Sequence, residues 1–205
     1  MRVGFVGAFR GLTLSVAVVV GSSNLVCGQE KPAAEKPAAE KPADKATLEI
    51  GLAEGKLQLT APDSWVRKQP KTRIVEHEFA IPSAAGDMTE GRFTVMGAGG
   101  GVEANIQRWI GQFTQPDGSS TKEKSKVQKL QVGGVEVHYV DISGDFKDQA
   151  GPFAPAVTRE NYRMLGAIIV TEKAGMHFLK FYGPKATVTA QEEAFKKMLN
   201  GLKVK

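Results

Sequence analysis

The sequence predicts an α+β sandwich in which two helices pack on a largely antiparallel sheet of about six to eight strands. Apolar and polar residues alternate along several short stretches, which is typical of strands with one buried face. Turn pairs at Glu54-Gly55, Gly133-Gly134 and Ala174-Gly175 favour hairpins, and hairpins make neighbouring strands antiparallel. The alternating stretches are Leu48–Leu52, Leu57–Leu59, Ile74–Ile81, Phe93–Met96, Val127–Val132, Val135–Ile142, Tyr162–Thr171 and Met176–Tyr182.

Two segments carry an apolar stripe at helical spacing, and both need a sheet to cover that stripe. The stripe of the first helix consists of Val102, Ile106, Trp109, Ile110 and Phe113. The second helix is expected to begin at a capping box, Thr189 to Glu192, and to end at Gly201. Its stripe consists of Ala194, Phe195, Met198, Leu199 and Leu202.

Residues 1–28 have the character of an export signal. Arg2 and Arg10 accompany an apolar run, 11–20, which is shorter than the roughly 20 residues that span a bilayer and fits the core of a signal peptide. A small-x-small pattern favours cleavage between Gly28 and Gln29. We therefore expect an exported protein, periplasmic or extracellular, that is soluble after cleavage.

Cys27 allows a second interpretation, in which it becomes the lipidated first residue of a lipoprotein. The bulky Val26 before it fits that kind of signal poorly, so we expect Cys27 to leave with the signal peptide and no lipid anchor to form. Because it is the single cysteine, a disulfide framework and a multi-cysteine zinc site are also excluded.

Residues 29–45 are expected to form a disordered linker. They contain three near-identical pentads, EKPAA, EKPAA and EKPAD, in which regularly spaced prolines oppose a helix and alternating charges cancel. The remaining segment, 46–205, is long enough for a single domain that buries about two-thirds of its unfolded surface. The expected organisation is therefore a signal peptide, a linker and one domain.

The charge balance does not favour nucleic acid as a partner. The whole chain has 27 basic and 22 acidic residues, and removing residues 1–45 leaves 21 basic and 18 acidic residues. A nucleic-acid binder is expected to carry a clustered basic footprint, whereas this small surplus is spread along the sequence. The densest run, Lys122, Lys124, Lys126 and Lys129, fits either contact with anionic lipid or wall polymer, or a strand edge guarded by lysines.

The order of the elements carries a resemblance to a known family. A strand ends in Ala61 to Trp65, a helix follows a glycine loop, and a C-terminal helix follows a hairpin that closes at Gly183-Pro184. This order resembles the PsbP-like family, which includes the extrinsic photosystem II subunit and bacterial envelope relatives. The resemblance covers nearly all of Leu48 to Val204 and implies an α/β/α sandwich. It also implies an exported, generally non-enzymatic module that binds or assists other proteins.

No cofactor is predicted. The loop Gly97–Gly101 opens a helix, where a phosphate could bind, but the sixth position of a dinucleotide fingerprint is Val102 instead of glycine. The loop is therefore either a flexible turn or an anion site formed by free helix amides.

A rival interpretation makes the chain a small secreted hydrolase or a metal-binding protein with a site near Glu136, His138 and Asp141. Glu136 and His138 are two residues apart on a predicted strand, so they share a face and could supply two ligands. A zinc site needs three or four ligands, and ordinary surface or cross-strand histidines explain the same pattern.

The segment Gly144 to Asn161 is predicted to be a long irregular loop, and such loops are often functional. Its candidate partner-binding residues are Phe146, Pro152, Phe153 and Pro155. Exposed rings on a backbone stiffened by proline would favour binding, whereas rings folded inward would form a satellite core. The sequence thus favours a binding or assembly module of the cell envelope, whose partner is another protein or envelope component and which meets the membrane only during export.

Overall fold

A computed structural model describes residues 48–149, 154–172 and 175–205, and the predicted signal peptide and linker lie outside these ranges. The strands are β1 Glu49–Leu52, β2 Leu57–Thr60, β3 Val66–Lys68, β4 His77–Ile81, β5 Gly91–Ala98, β6 Phe113–Thr114, β7 Lys126–Val132, β8 Val135–Asp148, β9 Val157–Thr171, β10 Gly175–Pro184 and β11 Lys203–Val204. The helices are α1 Val102–Ile110, α2 Thr121–Lys124, α3 Lys185–Ala190 and α4 Glu192–Asn200.

The main sheet has eight strands, and every pairing in it is antiparallel. Its order is β3-β4-β5-β10-β9-β8-β6, and β7 also pairs with β8. Strand β8 is long enough to hold β7 along its first half and β6 near its end. A second sheet has the order β1-β2-β11. This architecture confirms the predicted α+β fold class.

Alternation along the strands divides the side chains of the main sheet into two cores. On one side, which we call the α4 face, the sheet packs against α4 and the small sheet. On the other side, the α1 face, it packs against α1. Representative α4-face residues are Ile50, Phe79, Phe93, Leu165, Phe181 and Phe195. Representative α1-face residues are Ile106, Trp109, Ile142, Met164 and Phe178.

Trp109 lies directly against the sheet because Gly166 leaves room for it. A Cβ atom at Gly166 would lie 2.5 Å from Cζ3 of Trp109, which is too short for a contact between two non-bonded carbon atoms. The indole also packs edge-on against Phe178 with ring centroids 5.6 Å apart. The glycine in the middle of β9 is therefore a docking point for the helix.

Two helix predictions are corrected by the structure. Helix α1 ends at Ile110, and Phe113, although buried, belongs to β6 because it pairs with Phe146 of β8. Thr189 does not cap α4, because it lies inside α3 and its Oγ1 accepts a hydrogen bond from Nη1 of Arg163 at 3.1 Å. The predicted end of the last helix at Gly201 is confirmed.

The expected loop from Gly144 to Asn161 is mostly an antiparallel hairpin. Strands β8 and β9 continue their pairing to Asp148 and Val157, past an irregularity near Gly144 and Phe146. Asn161 has a φ of 53° there, and its N–H donates to Oδ1 of Asp145 at 3.1 Å. The loop prediction was wrong because the glycine, proline and charged residues of this segment show no apolar alternation, although the ends of β8 and β9 pair there.

Candidate functional site

Glu136, His138 and Asp141 do not form one site. Nε2 of His138 lies 2.6 Å from Oε1 of Glu136, and both side chains are on the α1 face. Asp141 is an odd number of residues away, so its side chain points to the α4 face, where it binds Arg163. Among the described residues, no group of three or more potential His, Cys, Asp or Glu ligands comes together.

The candidate partner-binding residues of the hairpin lie in different environments. Phe146 is only 3% exposed and packs against Phe113 and Tyr182, so its ring belongs to the α1-face core. Pro155 is exposed, while Pro152 and Phe153 lie outside the described residues. Of the two alternatives for Phe146, an exposed ring or a ring folded inward, the structure shows the second, because the extended hairpin turns that side chain inward.

The α1 face contains a second polar cluster that the sequence did not indicate. We call it the Lys180 cluster and define it as Arg92, Phe146, Tyr162, Lys180 and Tyr182. Nζ of Lys180 lies 4.9 Å from the ring centroid of Tyr182 and 5.1 Å from that of Phe146. The ammonium group thus lies over two adjacent aromatic rings, an arrangement that stabilises a cation.

Four elements position these side chains. Lys180 and Tyr182 alternate on β10, Phe146 comes from β8 and Tyr162 from β9, where it stacks on Phe146 with ring centroids 6.0 Å apart. The turn after α1 supplies Gln112, whose Oε1 accepts a hydrogen bond from Nζ of Lys180 at 2.6 Å. The cluster therefore lies next to the end of α1, where the helix leaves the sheet partly uncovered.

Arg92 forms the other side of the cluster. Its guanidinium donates to both carboxylate oxygens of Glu78, at 2.8 and 2.9 Å, and to the hydroxyl of Tyr182 at 2.7 Å. The bond to Glu78 raises the pKa of Arg92, so this side chain stays charged. Burial raises the pKa of the Tyr182 hydroxyl, which accordingly remains protonated.

Lys180 has no carboxylate partner among the described residues. Burial lowers its pKa from 10.5 to about 7, and the positive charges of Arg108 and Arg92 lower the pKa further, against a weaker opposite effect of Asp148. The site therefore holds an amine that titrates near neutral pH among an excess of positive charge. Such a site can accept an anionic group, which would supply the missing negative charge.

The glycine loop before α1 is hydrogen-bonded to the side chain of Asn105, in the first turn of the helix. The side-chain amide of Asn105 donates to the carbonyl of Gly101 at 2.9 Å and to that of Gly99 at 3.3 Å. These bonds fix the loop against the first turn of the helix.

Comparison with known proteins finds similarity in the fold alone. No family model and no curated protein matches the chain. One similar solved structure is the cyanobacterial PsbP of Synechocystis sp. PCC 6803, with 7% identity and a TM-score of 0.47 over 77% of this chain and 91% of that one. A second is LpqN of Mycobacterium tuberculosis, described as involved in cell envelope biogenesis, with 7% identity and a TM-score of 0.45 over 72% and 82%.

A third similar structure is a putative regulator of unknown function from Pseudomonas aeruginosa, with 14% identity and a TM-score of 0.43 over 70% of this chain and 88% of that chain. The resemblance to PsbP-like proteins is thus found at the level of the fold, and we transfer no activity, ligand or partner from it. Within the described ranges, no helix is long and apolar enough to cross a membrane.

Proposed function

We propose that the chain is an exported, non-enzymatic binding module of the cell envelope, which holds an anionic group of a partner in the Lys180 cluster. The observation that carries the proposal is the position of Lys180. Its ammonium lies over two adjacent rings and beside Gln112, and no described carboxylate pairs with it. A carboxylate or phosphate from a partner would neutralise this site and raise the pKa of Lys180 toward its ordinary range.

The hairpin formed by β8 and β9 supplies the neighbouring part of the surface. Its base contributes Phe146 and Tyr162 to the Lys180 cluster, and its outer part includes the exposed residues Val157 and Pro155. Pro152 and Phe153, which lie outside the described residues, are proposed as further contacts to the same partner. In this arrangement the anion fixes the partner's orientation, and the hairpin adds apolar contact area.

The test is an NMR titration of the chain with sodium phosphate and, separately, with sodium acetate. We expect saturable shifts of the Gln112 side-chain amide and of backbone amides near Lys180, and their loss in Lys180→Gln. Lys196→Gln is the matched control, because it removes an exposed lysine that already pairs with Glu192 on the α4 face. Equal binding by wild type and Lys180→Gln, or no binding of either anion, would contradict the proposal.

A further inference from the structure

A second surface, at the β3 edge of the main sheet, combines exposed apolar residues with free cations. Residues 69–76 connect β3 to β4 and contain Lys71, Arg73 and Ile74. The N–H of Val75 donates to the carbonyl of Thr72 at 3.3 Å, which places Arg73 and Ile74 at the two central positions of a turn. Ile74 is 70% exposed there, so the turn presents an aliphatic side chain to its surroundings.

This turn is held firmly in place. Val75 is buried, and the N–H of Glu76 donates to the carbonyl of Val95 at 2.8 Å. The carboxylate of Glu76 accepts a hydrogen bond from the N–H of Gly97 at 2.6 Å. The exposure of Ile74 therefore results from a backbone that is fixed by the residues that follow it.

Three cations around the turn have no acidic partner among the described residues: Lys68, Lys71 and Arg73. They line one groove of about 480 Å³. The nearest acids on the sheet are engaged elsewhere, since Glu76 bonds to Gly97 and Glu78 to Arg92. Glu90 lines a neighbouring groove together with Lys68 and Lys71. Even when Glu90 is counted, the surface carries more positive than negative charge.

Val66 extends the apolar part of this surface. It is 51% exposed and lies two residues before Lys68 on β3, so both side chains point to the same side of the edge strand. In the sequence, exposed Val66 precedes and exposed Ile74 follows cations that have no acidic partner among the described residues. Exposed aliphatic residues next to such cations are typical of a surface that contacts an anionic bilayer, with apolar side chains below the headgroups and cations among them.

We propose that the β3–β4 turn is a peripheral docking surface for an anionic lipid membrane. Lys68, Lys71 and Arg73 contact the headgroups, and Ile74, together with Val66, enters the interface. A bilayer accounts for both features, whereas a soluble anionic polymer accounts for the cations alone. This surface adjoins the Lys180 cluster, since Arg92 lines one groove with Lys68 and Lys71, but its binding residues are different ones. The proposal departs from the expectation that the protein meets a membrane only during export.

The experiment measures flotation of the chain with vesicles of phosphatidylglycerol and phosphatidylcholine in equal parts, and with vesicles of phosphatidylcholine alone. Residues 1–47 are identical in all variants, so differences between variants report on the turn. We expect Lys68→Glu, Lys71→Glu, Arg73→Glu to weaken binding to the anionic vesicles at least about tenfold. Ile74→Ser, which keeps every charge, should weaken it about threefold or more.

The matched control is Lys185→Glu, Lys197→Glu, Lys203→Glu, which changes the net charge equally at exposed lysines elsewhere. It should retain at least half of the wild-type binding, and circular dichroism should show that all variants are folded. An equal loss in the control would show that only net charge matters and would overturn the proposal. So would wild-type binding to soluble polyphosphate with no binding to anionic vesicles, or an Ile74→Ser variant that binds like wild type.

Discussion

The two faces of the main sheet each bury a cation, but they surround it differently. On the α4 face, Arg163 donates to both oxygens of Asp141 at 2.9 Å and lies 2.8 Å from Glu192. On the α1 face, Lys180 has aromatic rings and an amide oxygen as neighbours. The Asp141 hydrogen bond raises the pKa of Arg163, whereas burial lowers that of Lys180.

The difference separates a structural charge from one that is available for binding. Asp141 and Arg163 are only 14% and 11% exposed, and the guanidinium also contacts Thr189 and Glu192. A buried pair of this kind holds β8, β9 and α4 in register, because removing either member leaves the other buried without its partner. The amine of Lys180 has unused capacity for an anion, which is why we assign binding to the α1 face.

The largest expected loss of stability comes from truncating one buried aromatic residue on each face, which tests whether both faces are hydrophobic cores. Trp109→Ala on the α1 face and Phe195→Ala on the α4 face should each lower the free energy of unfolding by about 3 to 5 kcal/mol. Both side chains are almost fully buried, so each truncation leaves a cavity in a core. Urea unfolding measures the loss. If Trp109→Ala were nearly neutral, the α1 stripe would not be structural.

The next effect comes from exchanging each buried cation for methionine. Arg163→Met should destabilise the protein by about 3 to 5 kcal/mol, since it leaves the carboxylate of Asp141 buried without its partner. Lys180→Met should be neutral or stabilising, because no described acid depends on the amine. The control is Arg163→Met combined with Asp141→Leu, which should recover stability. A severe loss in Lys180→Met would reveal a structural role for that amine.

The smallest effect is the pH dependence of stability that Lys180 contributes. Its pKa is about 7 in the folded protein and 10.5 ordinarily, so between these values the unfolded chain binds a proton that the folded chain has released. The contribution of Lys180 to stability is therefore lowest below about pH 7 and increases as the pH rises toward about 10. The advantage of Lys180→Met over wild type should shrink over the same range.

Urea unfolding of both proteins at several pH values measures this difference. Arg163→Met is a useful comparison, because the pKa of an arginine lies above the range tested and its effect should stay constant there. An advantage of Lys180→Met that does not change with pH would show that the amine is solvated and titrates normally.

The sequence predicted the parts of this protein that depend on local periodicity. Alternation identified the strands that supply both cores, and the stripe with Trp109 identified α1, because burying one side of a strand or helix imposes a repeat on neighbouring residues. The alternation also placed Glu136 and His138 on one face, which the structure confirms. Short pieces were missed: β3, β6 and α3 are too brief to show a period.

Only the tertiary structure decided what each charged residue does. Arg92 is neutralised by Glu78 and Arg163 by Asp141, which lie 14 and 22 residues away in the sequence. Lys180 meets Gln112, from 68 residues away. Strand order and register bring such groups together, and pairing across a sheet carries no periodic signal along the chain. Composition therefore fixes how many charges there are, but the fold determines which of them remain unpaired and can bind a partner.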